Sequence, residues 1–321
     1  MSVSQNPLVF LPEAASTLAE HVDTVLFVLI ASSLVIVLVV ALLMLYFGIR
    51  YRQGAHADRT PISESTENKI EWAWMIPTAC VFVGFFFWGG YMYYQAYTPP
   101  QQDTLQINAV GKQWMWKFQH PNGALELNNL HVPLGEKVVV IMTSEDVVHS
   151  LYLPAQRVKR DVIPGSYTRL WFQPTKAGRY HLFCTQYCGL NHAKMRGELI
   201  VMAPSEYEQW LVQHEPAENP SEAGKALYEA YGCAACHAPG AKAHAPSLHS
   251  LYGNTVKLSG GKTALADDQY LRDAILEPNR QVVAGYQPIM PSYKGQIDEE
   301  GIIKLIAYLK SLGQLQQDET R

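Results

Sequence analysis

Charge of one sign is scarce in this chain. Its 25 Lys and Arg face 29 Asp and Glu for a formal net charge of −4, and the stretches 101–220 and 221–321 are each close to balanced. A nucleic-acid surface needs a basic face, so that class of partner is excluded. Internal repeats and low-complexity tracts are missing too. Cysteine is sparse, with five in 321 residues, and four of these fall in two short motifs. The fifth, Cys80, lies in an apolar segment and reads as a small packing residue.

Between Thr24 and Ile49 charge is missing altogether, and Val25 to Leu45 is almost wholly aliphatic. That run exceeds the roughly 20 residues needed to span a bilayer. A second apolar segment, Trp72 to Tyr97, is edged by Trp72, Trp74, Tyr91, Tyr93, Tyr94 and Tyr97 and stops before Pro99-Pro100. Such rings mark membrane interfaces. Arg50, Arg52, Arg59 and Lys69 lie between the segments, whereas only Glu13, Glu20 and Asp23 are charged before the first. The loop is therefore expected in the cytoplasm and both termini outside. The first segment is too long for a signal peptide and no basic residue precedes it. The length leaves room for two small soluble domains behind this anchor. The expected division is 1–100, 101–214 and 215–321, the last boundary falling in the polar stretch Glu215-Pro-Ala-Glu-Asn-Pro-Ser221.

Cys184-Thr-Gln-Tyr-Cys188-Gly-Leu-Asn-His192-Ala-Lys-Met195 collects two thiols, an imidazole and a thioether. Soft sulfur and borderline nitrogen favour copper over hard cations. Zinc rarely uses a thioether, so Met195 speaks against a structural zinc site; a Cys184–Cys188 disulfide is the other plain alternative. Upstream, Lys137-Val-Val-Val-Ile-Met142 reads as a strand that feeds a loop carrying His149. The stretch from Asp103 to about Pro204 reads as strand-rich, punctuated by turns such as Pro121-Asn-Gly123 and Pro164-Gly165. Within Trp114-Met-Trp116-Lys-Phe118, alternation predicts that Trp116 and Phe118 are packing residues.

Cys233-Ala-Ala-Cys236-His237 is the Cys-x-x-Cys-His signature of c-type haem attachment. Two thioether bonds would hold the porphyrin edge while His237 ligates iron; without the His, a thioredoxin-like redox pair would compete. The sixth ligand should be a downstream Met or His. Met290, in the proline-braced Gln287-Pro-Ile-Met290-Pro291, fits best, with His244 and His249 as rivals that otherwise read as solvent-facing loop residues. Glu299 to Lys310 reads as a closing amphipathic helix. Haem attachment happens on the oxidising side of a membrane, which places everything after the anchor outside the cytoplasm.

The late loop resembles the binuclear copper A motif of cytochrome c oxidase subunit II: Cys, three residues, Cys, three residues, His, two residues, Met. That resemblance implies a cupredoxin-like all-β barrel in which Cys184 and Cys188 bridge two copper ions. His149 and Met195 would complete one, and His192 with the backbone carbonyl of Gln186 the other. The family usually has Glu at the Gln186 position, with a carboxylate that also serves a magnesium site; Gln keeps the carbonyl but not that role. Trp114 corresponds to the family's electron-input Trp over the copper centre. Glu71, or alternatively Glu67, corresponds to a Glu at the mouth of a proton channel, although Glu71 is one residue nearer Pro77 than the family pattern has it.

Over nearly its whole length the chain resembles subunit II of a bacterial caa-type haem–copper oxidase. The implied fold is a membrane hairpin of two transmembrane helices, the barrel, and an all-α class I cytochrome c domain with one covalent haem c. The implied partners are subunit I, with haem a and the haem–copper site, subunit III, and reduced cytochrome c or another membrane electron donor. The implied location is the bacterial plasma membrane, with both soluble domains periplasmic. A copper A nitric oxide reductase subunit would share the loop. A quinol oxidase subunit II would share hairpin and barrel but not the copper ligands, and a membrane-tethered electron carrier or copper protein would not explain the haem motif.

Overall fold

The computed structural model describes residues 11–58, 60–100, 102–216, 219–237 and 245–318, with side chains to 313. Arg59 and His244 therefore lie outside the described residues.

The uncharged run from Thr24 forms the middle of a 34-residue helix, α1 (Thr17–Arg50), and the second apolar segment lies in another of 34 residues, α2 (Glu64–Tyr97). At 1.5 Å per residue each is about 51 Å long, well beyond a hydrocarbon core of about 30 Å. Both start before their apolar stretch. Ser16 caps α1, its Oγ accepting from the Ala19 amide at 3.0 Å, and Glu64 and Glu67 occupy the first turn of α2, where the helix dipole favours acids. Large apolar side chains such as Leu34 and Phe86 are 63% and 74% exposed, a surface suited to lipid or to other membrane helices. Cys80 is exposed as well. The expectation that it packs is overturned, because among the described residues no other element covers α2 at that level.

The hairpin is fastened to the barrel at several points. The Arg157 guanidinium donates to both carboxylate oxygens of Asp23 on α1, at 2.8 and 2.9 Å. Ser16 Oγ donates to the Gln156 carbonyl at 2.9 Å. At the end of α2, Trp171 Nε1 donates to the Gln95 carbonyl at 3.0 Å, and Arg160 lies 4.7 Å from the centre of the Tyr97 ring.

Ten strands build the barrel as two five-stranded sheets. β1 (Thr104–Lys112), β2 (Met115–Gln119), β3 (Leu125–Leu127), β5 (Lys137–Ser144) and β8 (Thr168–Phe172) form one sheet in the order β3-β2-β1-β5-β8. β4 (Asn129–Pro133), β6 (His149–Leu153), β7 (Val158–Val162), β9 (Gly178–Cys184) and β10 (Arg196–Met202) form the other, in the order β4-β10-β9-β6-β7. Trp116 and Phe118 are fully buried on the inward face of β2, as alternation requires. β5 is buried along nearly its whole length, which explains its continuous apolar run. His149 is the first residue of β6 rather than a loop residue, paired with Val162 of β7.

Helix α3 (Pro204–Gln213) is tied back to the barrel by a buried polar cluster. Glu126 receives a bond from His120 Nε2 at 2.7 Å and another from the His131 ring. A carboxylate only accepts, so His120 donates through Nε2, and its Nδ1 takes the Tyr207 hydroxyl of α3 at 2.7 Å. Burial pushes the Glu126 carboxyl up, but the two histidines outweigh it and leave it at about 2.

The C-terminal domain consists of α4 (Pro220–Ala230), α5 (Ala234–His237), a small hairpin of β11 (Thr255–Lys257) and β12 (Thr263–Leu265), α6 (Asp268–Leu276) and α7 (Glu299–Asp318). The hairpin departs from the all-α expectation; Gly260 and Gly261, at φ +88° and +81°, make its turn. α4 crosses α7 at Gly224, where a Cβ would stand 2.0 Å from the Lys304 carbonyl oxygen. Only glycine permits that approach. Ile302, Leu305, Ile306 and Leu309 of α7 pack with Tyr270 and Leu271 of α6 to form the core.

Candidate copper centre and haem pocket

The end of β9 delivers Cys184, the start of β6 delivers His149, and the loop between β9 and β10 delivers the rest. Cys184 and Cys188 are free thiols with sulfurs 3.9 Å apart, so the disulfide alternative is absent. His149 Nδ1 stands 4.0 Å from Cys184 Sγ. His192 Nδ1 and Met195 Sδ stand 3.4 and 3.7 Å from Cys188 Sγ, and the Gln186 carbonyl is 3.3 Å from Cys184 Sγ. The other four donors named from the sequence therefore surround this one pair of sulfurs. The ligand atoms of His149, Cys184 and Cys188 lie within 4.8 Å of one another.

Electrostatics show what this cluster needs. Burial pushes the Cys188 thiol up, and the neighbouring Cys184 adds to it, to about 12. Burial opposes ionisation of Cys184 too, but the bond to His149 and nearby amides holds that thiol below its usual range. Two sulfurs so close cannot both be thiolates without a cation between them. Two thiolates, two imidazoles, a thioether and a carbonyl form a soft donor set, and they fit a thiolate-bridged copper pair.

The support around the ligands was only partly legible in the sequence. Asp146 Oδ1 accepts from His149 Nε2 at 2.8 Å, which fixes the tautomer and turns Nδ1 toward the sulfurs. Asp146 is held by the Gln113 amide at 2.7 Å. The signal for Asp146 was an acid three residues before a ligand His; Gln113 had none. Gln113 Nε2 also donates to the Cys188 carbonyl at 2.7 Å, and Trp114 Nε1 reaches the same oxygen at 3.2 Å. Trp114 is half-buried and packs against the barrel core, whereas Trp116 meets the His149 ring edge-on with centroids 5.9 Å apart.

Cys233, Cys236, His237 and Met290 line one apolar cavity of about 270 Å³ in the C-terminal domain. His237 Nδ1 donates to the Pro246 carbonyl at 2.9 Å, leaving Nε2 as the free ligand nitrogen. Leu271, Ala274 and Ile275 of α6 form one wall and Leu305 and Leu309 of α7 contribute to another. An apolar slot with paired thiols at its edge and an imidazole and a thioether in its lining fits a covalently attached haem. His249 is exposed and does not line the cavity. Glu71 is exposed on α2, 24 residues before Gln95, or about 36 Å along the helix from its contact with the barrel.

Two separate stretches of the chain match known families. Residues 124–203 match the family model of the cytochrome c oxidase subunit II periplasmic domain, and residues 221–313 match that of cytochrome c. Cytochrome c oxidase subunit 2 of Alkalihalophilus pseudofirmus is 26% identical over 302 residues, covering 90% of this chain and 86% of that protein. Alternative cytochrome c oxidase subunit 2 of Bradyrhizobium diazoefficiens is 29% identical over 209 residues, 55% of this chain and 74% of that protein. The crystal structure of the periplasmic domain of subunit II of cytochrome oxidase of Bradyrhizobium japonicum aligns with 36% of this chain and 96% of its own, at 30% identity and a TM-score of 0.35. The two domain types imply binding of copper A and of haem c. A membrane hairpin, a subunit II barrel and a cytochrome c domain follow one another here, and the chain belongs to the cytochrome c oxidase subunit II family in the form that carries its own cytochrome c domain.

Proposed function

We propose that this chain is the electron-input subunit of a respiratory cytochrome c oxidase. The observation that carries the reading is the convergence of His149, Cys184, Cys188, His192 and Met195 on one pair of sulfurs 3.9 Å apart. Cys184 and Cys188 would bridge two copper ions, with His149 and Met195 on one and His192 and the Gln186 carbonyl on the other. Cys233 and Cys236 would hold one haem c, with His237 and Met290 as axial ligands. Bound together, these groups would supply one-electron relay chemistry between reduced cytochrome c, or another membrane donor, and subunit I, where oxygen is reduced to water with proton translocation.

The residues of this chain do the rest. Asp146 orients His149, Gln113 and Trp114 hold the Cys188 carbonyl, and Trp114 is the point of electron input. The division 1–100, 101–214 and 215–321 separates anchor, copper domain and haem domain. Both termini and both soluble domains lie on the periplasmic side of the plasma membrane, following the basic loop between the helices. Subunit I packs against the exposed helices, with subunit III completing the complex, and Glu71, or Glu67 one turn earlier, stands at the mouth of a proton path.

Copper analysis and electron paramagnetic resonance on the purified complex test this. Two coppers per chain with the odd electron shared over both are expected, together with one covalent haem c and oxygen consumption from reduced cytochrome c. One copper with four-line mononuclear hyperfine structure would sink the site, and turnover of nitric oxide in place of oxygen would sink the reaction.

A further inference from the structure

The loop between β7 and β8 does not end in solvent. Tyr167 leaves the barrel and packs against the core of the C-terminal domain, beside α6 and α7. Its hydroxyl is buried and makes no hydrogen bond among the described residues, so the ring is held by packing and by the Arg272 guanidinium, 5.8 Å from its centre. The Tyr167 amide donates to Gln269 Oε1 of α6 at 2.5 Å. Arg272 of α6, 7% exposed, is paired through two nitrogens with Glu299 at the start of α7. Its remaining terminal nitrogen donates across the domain boundary to the Gly165 carbonyl at 2.9 Å. Arg169 of β8 adds contacts to Asp267 and Asp268 at 3.6 and 3.7 Å.

We propose that residues 163–169 are a docking plug that fixes the haem domain against the copper barrel in one orientation, with Tyr167 as the knob and Arg272 as the positioning residue. Domains of one chain move relative to each other by default unless their interface is packed and apolar. Here a partly buried aromatic ring with a buried hydroxyl and a buried guanidinium bonded through all three nitrogens add to the exposed Arg169 pairs that a transient encounter would rely on. Breaking one partner of such a pair is costly, which makes the geometry specific.

The plug also joins the two centres physically. Arg272 follows Leu271, whose side chain walls the haem cavity. Gly165, its acceptor, is three residues beyond Val162, the register partner of His149, and Pro164 is itself bridged to Ser144 at the end of β5. Covalent bonds, the Arg272–Gly165 hydrogen bond and the pairing of β6 with β7 therefore lead from the wall of the haem cavity to His149. With both groups bound, the step served would be the transfer of one electron from a reduced haem to the copper centre, oxidising the one as it reduces the other, with no proton required. This rests on the cofactor assignment proposed above.

The test uses the full chain with both cofactors and compares Tyr167→Ala with Tyr167→Phe. Time-resolved reduction gives the rate from haem c to the copper centre. In the native protein it should be unchanged in 1 M salt, where charges are screened beyond about 3 Å. Tyr167→Ala should slow it by at least about tenfold by removing the fixed effective concentration of one domain at the other, with haem and copper spectra and potentials unaltered. Tyr167→Phe should match the native rate, because the hydroxyl has no partner. Equal rates in Tyr167→Ala and the native chain, or equal slowing in both variants, would overturn the plug. Hydrogen exchange at the Tyr167 amide reads docking without cofactors: it should be protected natively and freed by Tyr167→Ala. Free exchange in the native chain overturns the proposal, whereas a docked chain that binds no copper or haem overturns the cofactor reading instead.

Discussion

Trp114 Nε1 donates to the carbonyl of Cys188 at 3.2 Å, so the indole and the copper loop share a hydrogen bond. Trp114→Phe keeps a ring and loses that bond; Trp114→Ala loses both. Stopped-flow reduction of the copper centre by an external donor should be slower in Trp114→Phe and slowest in Trp114→Ala. Copper content should stay normal in both, since Gln113 still holds the same carbonyl at 2.7 Å. An unchanged rate in Trp114→Ala would reduce the residue to packing.

Trp116, two residues on, is fully buried. Trp116→Ala should cost about 3–5 kcal/mol through the cavity it leaves. Denaturant unfolding followed by the copper absorbance would measure this, and a cost below about 1 kcal/mol would contradict the burial.

Asp146→Asn should weaken copper binding about 10- to 100-fold, the usual effect of losing a carboxylate behind a ligand histidine. Competition with a copper chelator measures it. The electron paramagnetic signature of the remaining bound copper should be retained, because every direct ligand is still present.

The Glu126 carboxyl sits at about 2 in the folded chain against an ordinary 4.5. A depressed carboxylate contributes stability that is fully present above its unfolded value and is lost as pH falls through the folded one. Roughly 3 kcal/mol of barrel stability should therefore disappear between about pH 4.5 and pH 2. Hydrogen exchange of the barrel core against pH should show this slope, and Glu126→Gln should flatten it. An unaltered slope in that variant would place the acid sensitivity elsewhere.

Met290→Ala should convert the haem from low spin to high spin and lower its potential. A spectrum unchanged by that substitution would point to another sixth ligand. His249, exposed and outside the cavity lining, is not expected to take the role.

The candidate donors were legible because the chemistry is local: Cys184 to Met195 and Cys233 to His237 are each one short stretch whose donors need no long-range fold to be noticed. The membrane helices were equally plain from uninterrupted apolar length. What sequence could not supply were contacts made at a distance. His120, Glu126 and His131 resemble scattered surface residues until α3 closes over them. Arg272 and Gly165, 107 positions apart, carry no periodic or motif signal at all. Cys80 was misread for a related reason: in water an apolar helix face implies a packed neighbour, but in a bilayer lipid or another subunit can take that place.

The bonds from Arg157 to Asp23, from Ser16 to Gln156 and from Trp171 to Gln95 attach the barrel to both membrane helices. Their consequence is mechanical. A barrel on a loose tether would keep its own attitude whatever the bilayer did, but one bolted at separate corners leans when the hairpin leans. Helices as long as these meet a thinner membrane by tilting, so lipid thickness would set the height and inclination at which the copper end of the barrel meets its neighbours.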